Sequence, residues 1–267
     1  MQNIVWWSNT VGILIGSLFW GVIMYFFGKR VYRLRKWGDI YLLLTYMWCG
    51  LSLLTMLLLD NVRPFFPGIE ESLQVLISEF MMKLFLVSTI GMLIPLVAFN
   101  KFAFHREEEQ LYTRLADTAA MVLIFINTFG LVYLYYFVDL TTMWDQQGWY
   151  HTFEYQNFLI MLVFFLPYLF SIGWFIGGGL RRYLFERRKE HPNPPNLRRF
   201  LLLTSAGVSH VVLTALTVIL NLISSFFVGF ELELIIALRA LDATAIVVVF
   251  MVLSYLGWIM PQRLVKA

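Results

Sequence analysis

Leu234–Met260 reads LIIALRALDATAIVVVFMVLSYLGWIM, a run of 27 residues with only two charged side chains. About 20 apolar residues of α-helix cross the roughly 30 Å hydrocarbon core of a bilayer, so this run is long enough to span a membrane. Six other stretches have the same character. Together they predict seven transmembrane helices, over residues 5–27, 40–59, 73–99, 118–138, 158–178, 200–228 and 234–260.

The composition of the whole chain agrees with this interpretation. Of 267 residues, 60% are apolar and only 14% are charged, and the mean hydropathy is +0.72. These values exclude an ordinary soluble domain. The segments between the apolar stretches are short and polar, which leaves no room for a soluble domain within the chain. We therefore expect one all-α domain over residues 1–267, a polytopic seven-helix bundle, with any catalytic or signalling domain on another chain.

Positive charge is concentrated on one side of the predicted bundle. The opposite side carries only Arg63, together with eight acidic residues. Because Lys and Arg in short loops favour the cytoplasmic side, this asymmetry predicts an external N-terminus and a cytoplasmic C-terminus. The expected location is the inner membrane of a bacterial cell. The basic side holds 17 residues: Lys29, Arg30, Arg33, Arg35, Lys36, Lys101, Arg106, Arg114, Arg181, Arg182, Arg187, Arg188, Lys189, Arg198, Arg199, Arg263 and Lys266.

Four charged residues fall inside predicted helices three and seven: Glu79, Lys83, Arg239 and Asp242. Each would cost about 2.5–3.5 kcal/mol at the centre of a lipid-facing helix, so we expect them to face the protein interior and to pair. Their spacings of four and three residues place each pair on one helical face. At 1.5 Å per residue, all four lie about 8–15 Å below the outer surface. The sequence thus predicts a neutral charged cluster in the outer half of the bundle.

Predicted helix six carries a polar stripe at helical spacing. His210, Thr214, Thr217, Asn221 and Ser225 follow one another at steps of four, three, four and four residues. Asn221 reaches the depth of the charged cluster and is included in that candidate site. The other members, His210, Thr214 and Thr217, form a second polar face. Hydrogen bonding between helices is the ordinary use of such a stripe.

Two interpretations of the charged cluster remain open. It is either an ion-pair lock that fixes helix packing or a site for a ligand or a proton. In the second case Arg239 would hold an anionic group, since its fork suits carboxylate or phosphate, and Glu79 or Asp242 would hold a cation. The first helix also contains a GxxxG pattern at Gly12 and Gly16, which favours close helix packing.

The loop after the fifth predicted helix is the candidate for contact with a cytoplasmic partner. Its basic residues suit an acidic protein surface or anionic lipid headgroups, at about 1 kcal/mol per residue near the membrane. Pro192, Pro194 and Pro195 exclude one uninterrupted helix there. Nucleic-acid binding is not expected, because no recognition motif accompanies the charge. The candidate contact residues are Arg181, Arg182, Arg187, Arg188 and Lys189.

Several chemistries lack the residues that they need. Only His210 lies within a predicted helix, so two facing histidines for haem are missing. Cys49 is the single cysteine, which excludes an intrachain disulfide and a thiolate cluster. The last helix has no lysine for a retinal Schiff base, and no Gly-rich phosphate loop occurs. We therefore assign no catalytic residue, no metal site and no cofactor, and an enzyme is not the expected class.

The odd helix number, the topology and the short loops resemble the bacterial seven-helix sensory domains at the N-termini of some histidine kinases, as does the closing stretch YLGWIMPQR, residues 255–263. The resemblance implies a sensor, and the placement of the charged residues predicts that it detects a ligand or a proton in an outer-half polar cavity among helices three, six and seven. Because the chain ends six residues after Pro261, the signal would pass through the basic loops to a separate effector protein. The expected partner is such a protein or a second copy of the chain. Two alternatives stay open: a structural subunit of a larger membrane complex, and a small transporter or proton-coupled carrier.

Overall fold

The computed structural model describes residues 3–59, 70–105, 110–137, 155–224 and 230–259. These ranges contain seven α-helices and no β-strand, which confirms the all-α prediction. The helices are α1 Asn3–Leu34, α2 Trp37–Leu59, α3 Glu71–His105, α4 Gln110–Phe137, α5 Tyr155–Arg187, α6 Pro194–Ser224 and α7 Phe230–Ile259.

Five of these helices are long and apolar enough to cross a membrane, within the described residues. This length and composition are what an integral membrane protein requires. The five stretches are Trp6–Leu34 in α1, Trp37–Thr55 in α2, Lys83–His105 in α3, Pro194–Thr217 in α6 and Ala237–Ile259 in α7.

Several helices extend past the apolar runs that predicted them. α1 continues to Leu34, α3 to His105 and α5 to Arg187, although the apolar runs end at residues 27, 99 and 178. Hydropathy marks only the part of a helix that suits lipid, whereas Lys, Arg and Leu remain good helix formers in water. α6 begins at Pro194, because a proline in the first turn has no intrahelical hydrogen bond to lose. The prolines therefore separate α5 from α6, as predicted.

The helices form a closed bundle in which each packs beside the next along the chain and α7 returns to α1. α2 also packs against α7, and α3 against α5, across the middle of the bundle. The fully buried rings of Phe27, Tyr46, Phe99, Phe175 and Phe250 form an aromatic core between these helices. Their contacts include edge-to-face packing of Phe27 on Tyr46, with ring centroids 5.2 Å apart.

The GxxxG pattern of α1 faces α2 and α7, which confirms the predicted close packing. A Cβ added at Gly12 would lie 2.7 Å from Oγ1 of Thr244, and one at Gly16 would lie 2.7 Å from Cδ2 of Leu53. Both distances are shorter than a van der Waals contact, so a larger residue at either position would displace the neighbouring side chain.

One end of the bundle collects most of the basic residues that the structure describes, Lys83 and Arg239 excepted. Trp258 near the end of α7 donates a hydrogen bond from Nε1 to Oδ1 of Asp39 at the start of α2, at 2.6 Å. Arg182 near the end of α5 donates from Nε to the carbonyl oxygen of Phe104 near the end of α3, at 2.8 Å. Arg30 near the end of α1 also bonds Asp39, and the ring of Phe99 in α3 packs on that of Trp258. Together these contacts gather the ends of α1, α3, α5 and α7, and we call this the basic end.

Candidate functional site

The carboxylate of Asp242 is the best-defined polar group in the half of the bundle away from the basic end. Asp242 is only 7% exposed, and it lies about 24 Å along α7 from Trp258 at 1.5 Å per residue. Thr217 of α6 donates a hydrogen bond from Oγ1 to Oδ2 of Asp242 at 2.5 Å. The second oxygen, Oδ1, is buried and accepts no hydrogen bond from any residue that the structure describes. One oxygen of the carboxylate thus joins two helices, and the other has no described hydrogen-bond partner.

The local sequence explains why this aspartate points inward. Ala240 and Ala243, close to Asp242 along α7, are also buried, and their small side chains let neighbouring helices approach closely. A carboxylate facing lipid would lack any hydrogen-bond donor. Thr217 supplies that donor from α6, which makes the interior the favoured direction.

The structure describes part of the charged cluster that the sequence predicts. Lys83 and Arg239 are partly buried, whereas the side chains of Glu79 and Asn221 lie outside the described residues. α3 and α7 are not among the helix pairs that pack closely within the described ranges, and α2 packs against both. The rings of Phe99 and Trp258, 4.9 Å apart, join α3 to α7 at the basic end. The four-residue cluster therefore stays a prediction, and the described partner of Asp242 is on α6.

The polar stripe of α6 is divided between two neighbouring helices. Thr214 and Tyr168 of α5 share a hydrogen bond between their hydroxyl groups at 3.0 Å, while Thr217 bonds to Asp242 of α7. His210 is buried between the rings of Tyr168, at 5.6 Å, and Phe250, at 5.0 Å. Its Nδ1 has no hydrogen-bond partner in the described part of the chain. The stripe thus connects α5, α6 and α7.

A second polar network lies at the basic end, and the sequence interpretation missed it. Arg30 of α1 contacts Oδ2 of Asp39 through Nε at 3.0 Å, and Trp258 donates to Oδ1 of the same carboxylate. The guanidinium of Arg199 in α6 lies over the ring of Trp258, 4.3 Å from its centroid. Asp39 is fully buried. This network joins α1, α2, α6 and α7 through four side chains.

One sequence signal could have identified that network. Asp39 follows directly after the strongly basic stretch 29–36, and it is the only acidic residue over residues 29–59. A single acid among many bases is a natural ion-pair partner, as Arg30 turns out to be. Trp258 gave no comparable signal, because a tryptophan at a predicted helix end equally suits a membrane interface.

The predicted loop location is wrong for three of the basic candidates, because Arg181, Arg182 and Arg187 lie within α5, and the five candidates differ in their surroundings. Arg181, Arg187 and Arg188 are exposed, whereas Arg182 is anchored to the carbonyl of Phe104. Lys189 donates from Nζ to Oε2 of Glu186 at 2.7 Å. The exposed guanidinium groups form a surface that an anionic partner can reach.

Glu186 fixes the turn between α5 and α6. Besides its contact with Lys189, it accepts a hydrogen bond at Oε1 from the backbone N–H of Asn193 at 3.1 Å. The hydrogen bond from Lys189 is the main cause that lowers the pKa of Glu186, the bond from Asn193 acts in the same direction, and burial opposes both. Glu186 therefore remains ionised at neutral pH and holds the turn in place.

Within the described ranges, no group of three or more His, Cys, Asp and Glu residues is arranged to hold a metal ion. Comparison of the chain with known proteins gave no match among protein-family models, curated proteins or solved structures.

Proposed function

We propose that this chain is an integral membrane sensor in which Asp242 receives a proton or a ligand cation and the basic end delivers the response to a separate effector protein. The observation that carries the proposal is that the two carboxylate oxygens of Asp242 differ in their contacts. One oxygen bonds Thr217 on α6 at 2.5 Å, and the other is buried without a partner in the described residues. Ionisable groups inside a membrane bundle are functional candidates by default.

The proposed arrangement has seven crossings of a bacterial inner membrane, with the N-terminus outside and the C-terminus in the cytoplasm. The support is the charge asymmetry, since 17 of the 20 Lys and Arg residues fall on one side by sequence. The contacts that bring the ends of α1, α3, α5 and α7 together gather the described members of that set at one end. Asp242 then lies in the outer half, within reach of the exterior.

The proposed response is a movement of α6 relative to α7. A proton or a cation on Asp242 changes its hydrogen bond with Thr217, which alters the relative stability of two helix arrangements. The two helices also contact each other farther along, where His210 meets Phe250 and Arg199 meets Trp258. A shift at the outer end therefore reaches the basic end through packed side chains.

The experiment measures the distance between two spin labels at the basic end, one on α6 and one on α7, in lipid nanodiscs between pH 4 and pH 8. Leu201 of α6 is exposed and Leu256 of α7 is partly exposed, so Leu201→Cys and Leu256→Cys accept the labels, while the native Cys49 is buried. The sensor proposal predicts a pH-dependent distance in the parent chain that Asp242→Asn abolishes. Asp117→Asn is the matched control, because Asp117 pairs with Lys101 at the basic end, and it should keep the response.

Two outcomes would reject the sensor proposal. One is a distance that stays constant over this pH range in the parent chain, including in the presence of added cations. The other is a pH response that survives Asp242→Asn unchanged, since the responding group would then lie elsewhere.

A further inference from the structure

The network at the basic end carries more positive than negative charge. Arg30 and Arg199 contribute two guanidinium groups, and Asp39 contributes one carboxylate. Trp258 connects Arg199 to the pair of Arg30 and Asp39, because its Nε1 donates to Asp39 and the guanidinium of Arg199 lies over its ring, 4.3 Å from the ring centroid. The three side chains and the ring of Trp258 therefore form a compact group with a net charge of +1.

The existing contacts do not satisfy this group. Both oxygens of Asp39 are engaged, Oδ2 by Arg30 and Oδ1 by Trp258. The buried Nε of Arg199 donates to no atom of the described residues. Its guanidinium instead lies over the indole ring, 4.3 Å from the ring centroid, a cation–π contact that supplies no oxygen acceptor for the N–H groups. A buried donor without an acceptor is costly, so a missing acceptor is the simplest completion of the group.

The position of this group suits an anion at the membrane surface. It lies where α1 and α7 end and α6 begins, and Arg30 remains 29% exposed and accessible there. Exposed basic residues surround it and attract anions: Lys29, Arg33, Arg35, Lys36 and Arg198. A tetrahedral anion can accept from two guanidinium groups at once, and Arg is the residue best shaped for such contacts.

We propose that Arg30 and Arg199 form a binding site for a phosphate group, supported by Trp258 beneath Arg199 and by Asp39, which orients Arg30. The phosphate belongs either to an anionic phospholipid of the adjoining leaflet or to a free anion. This site is separate from Asp242, and it stands whether or not the chain is a sensor.

Native mass spectrometry of the purified full-length chain tests the proposal. The chain is released from nanodiscs that contain equal amounts of phosphatidylglycerol and phosphatidylcholine, with and without inorganic phosphate. The site predicts selective retention of phosphatidylglycerol. If millimolar inorganic phosphate displaces phosphatidylglycerol, the site also binds a free anion. If it does not, the site binds the lipid alone. Both results support a phosphate site.

Two variants of equal charge change locate the site. Arg199→Gln removes one guanidinium of the group, and Arg188→Gln removes an exposed guanidinium at the same end. Phosphatidylglycerol retention should weaken about tenfold in Arg199→Gln, as expected for the loss of one charge-assisted hydrogen bond. It should change less than twofold in Arg188→Gln.

Arg199→Lys keeps the charge and loses the planar fork, so it decides the question if Arg199→Gln does not fold. Weakened retention in Arg199→Lys supports a site that uses the fork. Equal retention in Arg199→Lys and the parent chain, equal weakening by Arg188→Gln, or no selectivity for phosphatidylglycerol would overturn the proposal, because each result indicates diffuse attraction to the basic end.

Discussion

Gly50 of α2 lies directly beneath the indole ring of Trp20 from α1, and we predict that Gly50→Ala destabilises the bundle. A Cβ at residue 50 would lie 2.4 Å from Cδ1 and from Nε1 of Trp20. The ring cannot move freely, because its Nε1 donates to the carbonyl oxygen of Tyr46, one turn earlier in α2, at 3.1 Å. The added methyl group therefore displaces a large side chain from both its packing and its hydrogen bond.

The size of the effect follows from three contributions. Overpacking in a well-packed interior costs about 1–3 kcal/mol, and the lost hydrogen bond costs about 0.5–1.5 kcal/mol. The better helix propensity of alanine returns about 0.5–1 kcal/mol. The expected net loss in the free energy of unfolding for Gly50→Ala is thus about 2 kcal/mol, with overpacking as the largest contribution.

The assay is reversible unfolding of the purified chain in mixed micelles, titrated with dodecyl sulfate. Gly21→Ala is the matched control on α1, because a Cβ added at Gly21 meets no described atom within 4 Å beyond its chain neighbours and the local helix backbone. Without a clash, only the propensity term remains, so this control should stabilise the chain by about 0.5–1 kcal/mol. A second comparison places Gly50→Ala in a Trp20→Leu background, where the smaller side chain leaves room and the cost should fall.

Two results would refute this reasoning. If Gly50→Ala and Gly21→Ala shift the unfolding midpoint equally, the close approach of Trp20 does not affect the free energy of unfolding. If the cost of Gly50→Ala is the same with Leu at residue 20 as with Trp, the clash is not with the indole ring.

Three further predictions concern other contacts. Trp258→Phe keeps an aromatic ring but removes the donor to the buried Asp39, at 2.6 Å, and should lower the free energy of unfolding by about 2 kcal/mol in the same titration; no change would show that the carboxylate finds another donor. The contacts of Glu186 hold the pKa of its carboxyl below its usual range, so its stabilisation is complete above the pKa of the unfolded carboxyl and is lost as the pH falls through the lower folded pKa. Unfolding curves of the parent chain and Glu186→Gln should therefore differ at pH 7 and converge in acid, and a constant difference would contradict this linkage. Gly12→Val would place Cβ 2.7 Å from Oγ1 of Thr244 and should cost about 1–3 kcal/mol, with unchanged stability as the contrary result.

The helices were predictable because the signal for each is local. An apolar run of about 20 residues has few alternatives to a membrane-spanning helix. All seven predicted segments overlap helices that the structure describes. The predicted helix ends were less accurate, as α5 shows by continuing to Arg187. Charged residues end an apolar run, but they do not interrupt the backbone hydrogen bonds of a helix.

The contacts of the candidate site were only partly predictable. Helical spacing placed Thr214 and Thr217 on one polar face, but it could not show that Thr214 bonds α5 and Thr217 bonds α7. Matching depth suggested helix three as the partner of Asp242, whereas its described partner is on α6. Depth along the membrane normal follows from residue counting, while the order of helices around the bundle does not.

The sequence by itself determined the all-α class, the apolar runs and the side of the bundle that carries the basic residues, because these depend on composition and on spacing along the chain. The tertiary structure decided which helices adjoin and therefore which polar groups meet. Asp39 and Trp258, 219 residues apart, share a hydrogen bond because the closed bundle brings the start of α2 beside the end of α7. Such a contact depends on the side-by-side packing of whole helices, and no local pattern at either residue encodes it.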